Sequence, residues 1–219
     1  METTFENNLK PASKIWGTAE VILLLLLPLP FFNLNLIYLI AALAITLTSI
    51  YIRKEKWTEI GFKKVTGKGV FWASAFGIAY GFADNFLLEP LLTWIVGAEP
   101  DLSAYKAVEG NVANLLFMLA LGWFVGGLFE EYFFRGYLFC RINKLIFNPV
   151  VYKWVTILIT SAVFAFAHDY QGIGGISDTF IFAIVMGLLY FKMDKNVWYL
   201  VLIHGFYDTI GIFRLYLGA

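Results

Sequence analysis

Glu130, Glu131 and Arg135 stand inside an apolar run from about Leu115 to Phe139. A charge at the centre of a bilayer costs roughly 2.5–3.5 kcal/mol on insertion scales, so such residues face a protein interior and usually work there. Residues four apart share a helix face. Glu131 is therefore expected to pair with Arg135. Glu130 continues the glycine stripe Gly122-Gly126 and has no local cation, which makes it the candidate base. The two histidines fall within or at the ends of other apolar stretches: His168 four residues after Phe164, His204 four before Asp208. A buried carboxylate is suited to taking a proton from a water. One histidine would position that water, and the second, with a polar partner, would donate to a developing oxyanion. This set suits hydrolysis of an amide bond. Asp208 would equally serve to orient His204. No serine sits in a G-x-S-x-G elbow, and Cys140, the one cysteine, has no histidine near it in sequence, which disfavours an acyl-enzyme.

Taken singly, each feature has a plainer explanation: an interfacial histidine, or a structural Glu131–Arg135 pair. Depth argues for them together. At roughly 1.5 Å per residue from the nearest cationic turn, Glu130, His168, His204 and Asp208 all lie roughly 14–22 Å in, near the middle of a hydrocarbon core of about 30 Å. Glutamate with two histidines is also a zinc ligand set. A divalent metal held by Glu130, His168 and His204, with Glu131 as base, is the lesser alternative. The favoured chemistry requires no cofactor.

The elements that must hold these groups are membrane helices. The 219 residues are 60% hydrophobic and 19% aromatic, with a mean hydropathy of +0.73, against about 45–50% apolar for a soluble domain. Net charge is zero, and no basic face suits nucleic acid. The expectation is an all-α, polytopic transmembrane bundle of about seven spans, within a range of about six to eight. They begin near Ile15, Leu34, Val70, Val112, Val151, Thr179 and Val197. Lys10 and Lys14 before Val21–Leu27 resemble a signal peptide, but no small-x-small cleavage site follows, so a retained helix is expected. The basic loop Arg53–Gly69 reads as cytoplasmic, with the N-terminus, and Trp57, Ile60 and Phe62 suit the headgroup level. Ala73, Gly77 and Gly81 form a helix-contact stripe. Asp84 and Asn85 are read as outer-interface residues, with cavity lining the lesser alternative. Gly172–Gly175 is read as a link.

The pattern Glu130-Glu131-x-x-x-Arg135, Phe164-x-x-x-His168 and His204-x-x-x-Asp208 resembles the three ordered motifs of the CPBP family, the CAAX-processing and bacteriocin-processing (Abi) intramembrane peptidases. The first two motifs match without departure. The third has Asp208 where the eukaryotic and archaeal CAAX endopeptidases have asparagine. An ionised aspartate cannot donate a hydrogen bond, so Asp208 is either protonated or orients His204. The resemblance implies catalytic roles for Glu130, His168, His204 and Asp208, and site-shaping roles for Glu131, Arg135 and Phe164. It implies a CPBP-like core over 70–219 behind N-terminal helices and a basic loop over 1–69. The expected function is endopeptidase action on a membrane-associated peptide or protein tail. The implied setting is a prokaryotic cell membrane, with lipid and substrate as partners. A catalytically silent scaffold in immunity or export, and a small proton-coupled transporter, are the competing functions.

Overall fold

The computed structural model describes residues 11–29 and 35–218, and every regular element among them is helical. The chain runs α1 (Pro11–Leu26), α2 (Asn35–Arg53), α3 (Gly67–Ala83), α4 (Glu89–Val96), α5 (Val112–Leu121), α6 (Phe139–Leu145), α7 (Pro149–Phe166), α8 (Gly172–Lys192) and α9 (Val197–Leu217). Starts are written in local chemistry. The side chains of Thr66, Asn111, Asn148 and Asn196 each accept from a backbone N–H in the first turn of α3, α5, α7 and α9, satisfying donors that the helix leaves unpaired. Gly97 and Gly218 close α4 and α9 in the left-handed region, at φ of 76° and 72°, where a residue without Cβ is favoured.

Two helix pairs are continuous. α3 passes through a wider, π-wound turn at Asp84–Leu88 into α4. α5 and α6 are joined by the π-wound segment Gly122–Leu138, giving one helix from Val112 to Leu145, 34 residues long. The charged stretch is thus the interior of a long helix, as its four-residue spacing implies. Its wider i→i+5 winding is a form frequent at functional sites, and the N–H of Phe139 reaches back to the carbonyl of Phe134.

Among the described residues four helices are long and apolar enough to cross a membrane: Val112–Leu145, Pro149–Phe166, Asp169–Lys192 and Val197–Leu217. The first three expected stretches fall short of that measure for different reasons: α1 has 16 residues, the apolar part of α2, Ile37–Arg53, has 17, and the continuous helix over 67–96 carries Asp84, Asn85 and Glu89 within its apolar run. The expected link between the first two spans lies partly outside the described residues. Large apolar side chains such as Phe71, Trp94, Phe124 and Trp154 point outward, an arrangement unfavourable in water and at home in lipid.

α9 is the central element, packed between α3 and the long helix, while α7 packs on α8. The glycine stripe of α3 makes this possible: a Cβ at Gly77 would lie 2.6 Å from the carbonyl oxygen of Ile203, and one at Gly81 2.9 Å from Cβ of Ile210. The lower half of the long helix is the core, with Phe133, Phe134, Tyr137, Leu138 and Phe139 fully buried. The basic loop closes that end. Ile60 is buried, the backbone N–H of Val197 donates to the carbonyl of Gly61 at 2.9 Å, and Glu55 accepts from Arg141 and Lys144.

Candidate active site

The long helix sends its adjacent glutamates to different places. Glu131 is wholly buried. Its Oε1 accepts from the Arg135 guanidinium at 2.8 Å and from Nδ1 of His204 at 2.8 Å. Because a carboxylate only accepts, His204 carries a proton on Nδ1 and turns Nε2 outward. There Nε2 lies 3.5 Å from Asp208 Oδ1 and 4.0 Å from Glu130 Oε2. Glu130 and Asp208 are 17% and 22% exposed and line a cavity of about 680 Å³, within the usual range of ligand pockets. His168 and His204 line the same cavity.

The second motif completes this network. Nδ1 of His168 donates to the carbonyl of Phe164 at 2.8 Å, leaving its Nε2 as the acceptor. The Phe164 ring centre lies 4.9 Å from the His168 ring, 6.3 Å from the His204 ring and 4.9 Å from the Arg135 guanidinium carbon. The last is a cation–π distance. Arg135 also donates to the carbonyl of Ala183 in α8 at 3.3 Å. Two glycines let the long helix approach α9: a Cβ at Gly126 would press on Asp208 Oδ2 and sit 3.3 Å from His204 Nε2, and one at Gly122 would sit 3.2 Å from Asp208. The structure therefore brings Glu130, Glu131, Arg135, Phe164, His168, His204 and Asp208 into one connected cluster. His204 is oriented through Nδ1 by Glu131, with Asp208 on the opposite nitrogen.

The same cavity has a second polar wall, of which the sequence offered only Asp84 and Asn85, and those as the lesser alternative. Asp84 is buried and accepts from the Tyr207 hydroxyl at 2.7 Å, rather than standing at an outer interface. Asp178 of α8 lines the same cavity. Arg214 holds Glu89 through both oxygens at 2.7 and 2.9 Å and donates to Asn85 at 3.1 Å. Asp178 inside the apolar α8 was the available signal. At the rim, the Tyr105 and Tyr170 hydroxyls hydrogen-bond at 2.6 Å, and Gln171 donates to both. Gly172–Gly175, expected as a link, forms the first turn of α8 instead. Gly174 has to be bare there, because its Cβ would lie 2.6 Å from the carbonyl oxygen of Ala98.

Among the described residues no group of three or more His, Cys, Asp or Glu side chains is arranged to hold a metal ion. The cluster offers hydrogen bonding and proton transfer: a carboxylate facing the cavity, an imidazole acceptor, and an imidazole clamped by a buried carboxylate.

Residues 112–210 match the family described as type II CAAX prenyl endopeptidase Rce1-like. No curated protein and no solved structure matches the chain. The matched segment runs from the start of α5 into α9 and contains all seven residues of the cluster. That segment is similar to the CPBP family of CAAX-type peptidases, and four of the described helices are long and apolar enough to give the chain an integral membrane character.

Proposed function

We propose that the protein is an intramembrane endopeptidase that hydrolyses a peptide bond in a membrane-associated peptide or protein tail. Glu130 takes a proton from a water held against Nε2 of His168. The water oxygen bonds to the substrate carbonyl carbon, and the carbonyl electron pair moves to its oxygen. His204, protonated on both nitrogens and clamped by Glu131, donates Nε2–H to that oxyanion. Asp208 holds Nε2–H in the resting site and yields it to the substrate. The tetrahedral intermediate collapses with cleavage of the C–N bond, and Glu130 passes its proton to the departing amine. Arg135 and Phe164 keep Glu131 and the two rings in place. The chemistry needs no bound metal.

The observation that carries this reading is the two-sided hold on His204. Glu131 sits on Nδ1 while Glu130 and Asp208 flank Nε2 at the cavity wall. In the membrane, α1, α2 and α3 complete seven spans with the four longer helices. The N-terminus is cytoplasmic, residues 1–69 frame the core over 70–219, and the setting is a prokaryotic cell membrane.

The test compares peptide termini in membranes from cells producing wild type or Glu130→Gln at equal levels. A terminus present only with wild type, and regenerated by the purified protein, is the expected result. Identical termini in both, under conditions where loss of the protein has a phenotype, would favour a scaffold instead.

A further inference from the structure

We infer that the cavity is reached from the non-cytoplasmic face, so that the substrate is a peptide segment already on the outer side of the membrane rather than a tail offered from the cytosol. This rests on the peptidase reading for the word substrate, but the direction of access stands on the charge distribution and the geometry of the cavity.

The first observation is charge. The loop after α2, the turn between α6 and α7, and the turn between α8 and α9 lie at one end of the bundle, tied together by Glu55 with Arg141 and Lys144 and by Lys63 with the carbonyl of Asp194. At the opposite end Lys106 and Arg214 are the only lysine and arginine among the described residues, beside the exposed Glu99, Asp101, Glu109 and Asp169. Lysine and arginine accumulate on the cytoplasmic side, so the acidic end is the outer one.

The second observation is where the cavity leads. Its outer lining comes from that acidic end: Glu89, Leu102, Tyr105, Gln171 and Leu215. No residue of the basic turns lines it. Between Glu130 and the basic end the path is filled by Phe133, Phe134, Tyr137 and Phe139, all fully buried, with Ile60 of the basic loop packed beneath them. The carboxylate therefore sits on the floor of a cavity open towards the outer half of the membrane and plugged towards the cytoplasm.

Cysteine accessibility tests this without turnover. Cys140 is the only cysteine and is buried, so C140A gives a silent background. V125C places a thiol on the cavity wall near Glu130, M118C one nearer the rim, and K64C one in the basic loop. An impermeant maleimide applied to intact cells should label V125C and M118C as fully as after permeabilisation, and K64C only after permeabilisation. Labelling of K64C in intact cells, or of V125C only once cells are opened, would overturn the proposal. So would V125C that stays unlabelled in folded protein before and after opening. If Glu130→Gln leaves every terminus unchanged while this labelling pattern holds, the peptidase reading fails and the direction of access stands.

Discussion

Gly126→Ala separates a site that is merely present from one that is set to work. A methyl at this position would press well inside van der Waals distance of Asp208 Oδ2, and would sit 3.3 Å from His204 Nε2. Ordinary contact between such atoms is about 3.5 Å, so the Asp208 carboxylate has to withdraw by about 1 Å. The atom that moves is the end of a side chain facing a cavity, so stability should change little, by about 1 kcal/mol at most. Activity should change a great deal, because a displacement of about 1 Å in a catalytic group costs on the order of 10²-fold. Gly122→Ala is the internal control. Its methyl meets Ile212 at 3.0 Å and Asp208 at 3.2 Å, and it should cost several-fold less. The assay is the rate at which the Glu130-dependent terminus appears, alongside the thermal midpoint in detergent. G126A cleaving at the wild-type rate with an unchanged midpoint would refute the claim that Asp208 and His204 act at this position.

Glu131→Gln should harm folding as well as chemistry. It leaves the Arg135 guanidinium, 2% exposed, without its buried counter-charge, and breaking one half of a buried pair costs about 3–5 kcal/mol. Its thermal midpoint should fall well below that of Glu130→Gln, whose carboxyl has no such partner, and equal midpoints would contradict the assignment. Acid should loosen the basic end first. Burial pushes the Glu55 carboxyl up, but hydrogen bonds from Arg141 and Lys144 outweigh it and hold the group below its ordinary value of 4.5. A depressed carboxylate contributes stability above its unfolded pKa that is lost as pH falls through the folded one. Protease nicking of the 53–69 loop should therefore rise below about pH 4.5 in wild type and lose that pH dependence in E55Q. Dialysis against a chelator should leave the cleavage rate unchanged. A loss restored by added zinc would move Glu130, His168 and His204 into a ligand role.

What could be read from the letters was whatever repeats on one helix. Glu131 and Arg135, Phe164 and His168, and His204 and Asp208 are each four apart, and ionisable groups in apolar helices are rare enough to be noticed singly. Depth along the helices then placed them at one level. Contacts between helices were harder. Spacing offered Asp208 as the natural partner of His204, whereas Nδ1 is held by Glu131, 73 positions away. Asp84, Asp178 and Arg214 come from three helices, and nothing local links them. The π winding of Gly122–Leu138 depends on which carbonyl each N–H selects, which side-chain types do not record. Gly174 resembles linker glycine until Ala98 is seen lying against it.

The adjacent glutamates show why one charge in the membrane would not suffice. Neighbouring residues on a helix point in different directions, so the pair cannot share one task. Glu131 points into protein, where two cationic or donor groups meet a single oxygen and fix it. Glu130 points into the cavity, 4.0 Å from the imidazole that its neighbour holds. A carboxylate that must gain and lose a proton at each turnover cannot also be the anchor of a buried arginine, because each protonation would release that arginine's counter-charge. Dividing the two demands between consecutive residues allows the proton to move at Glu130 while the charge at Glu131 stays constant. The His204 ring then keeps one orientation throughout, and the barrier to chemistry is lowered without the structure reorganising at each step.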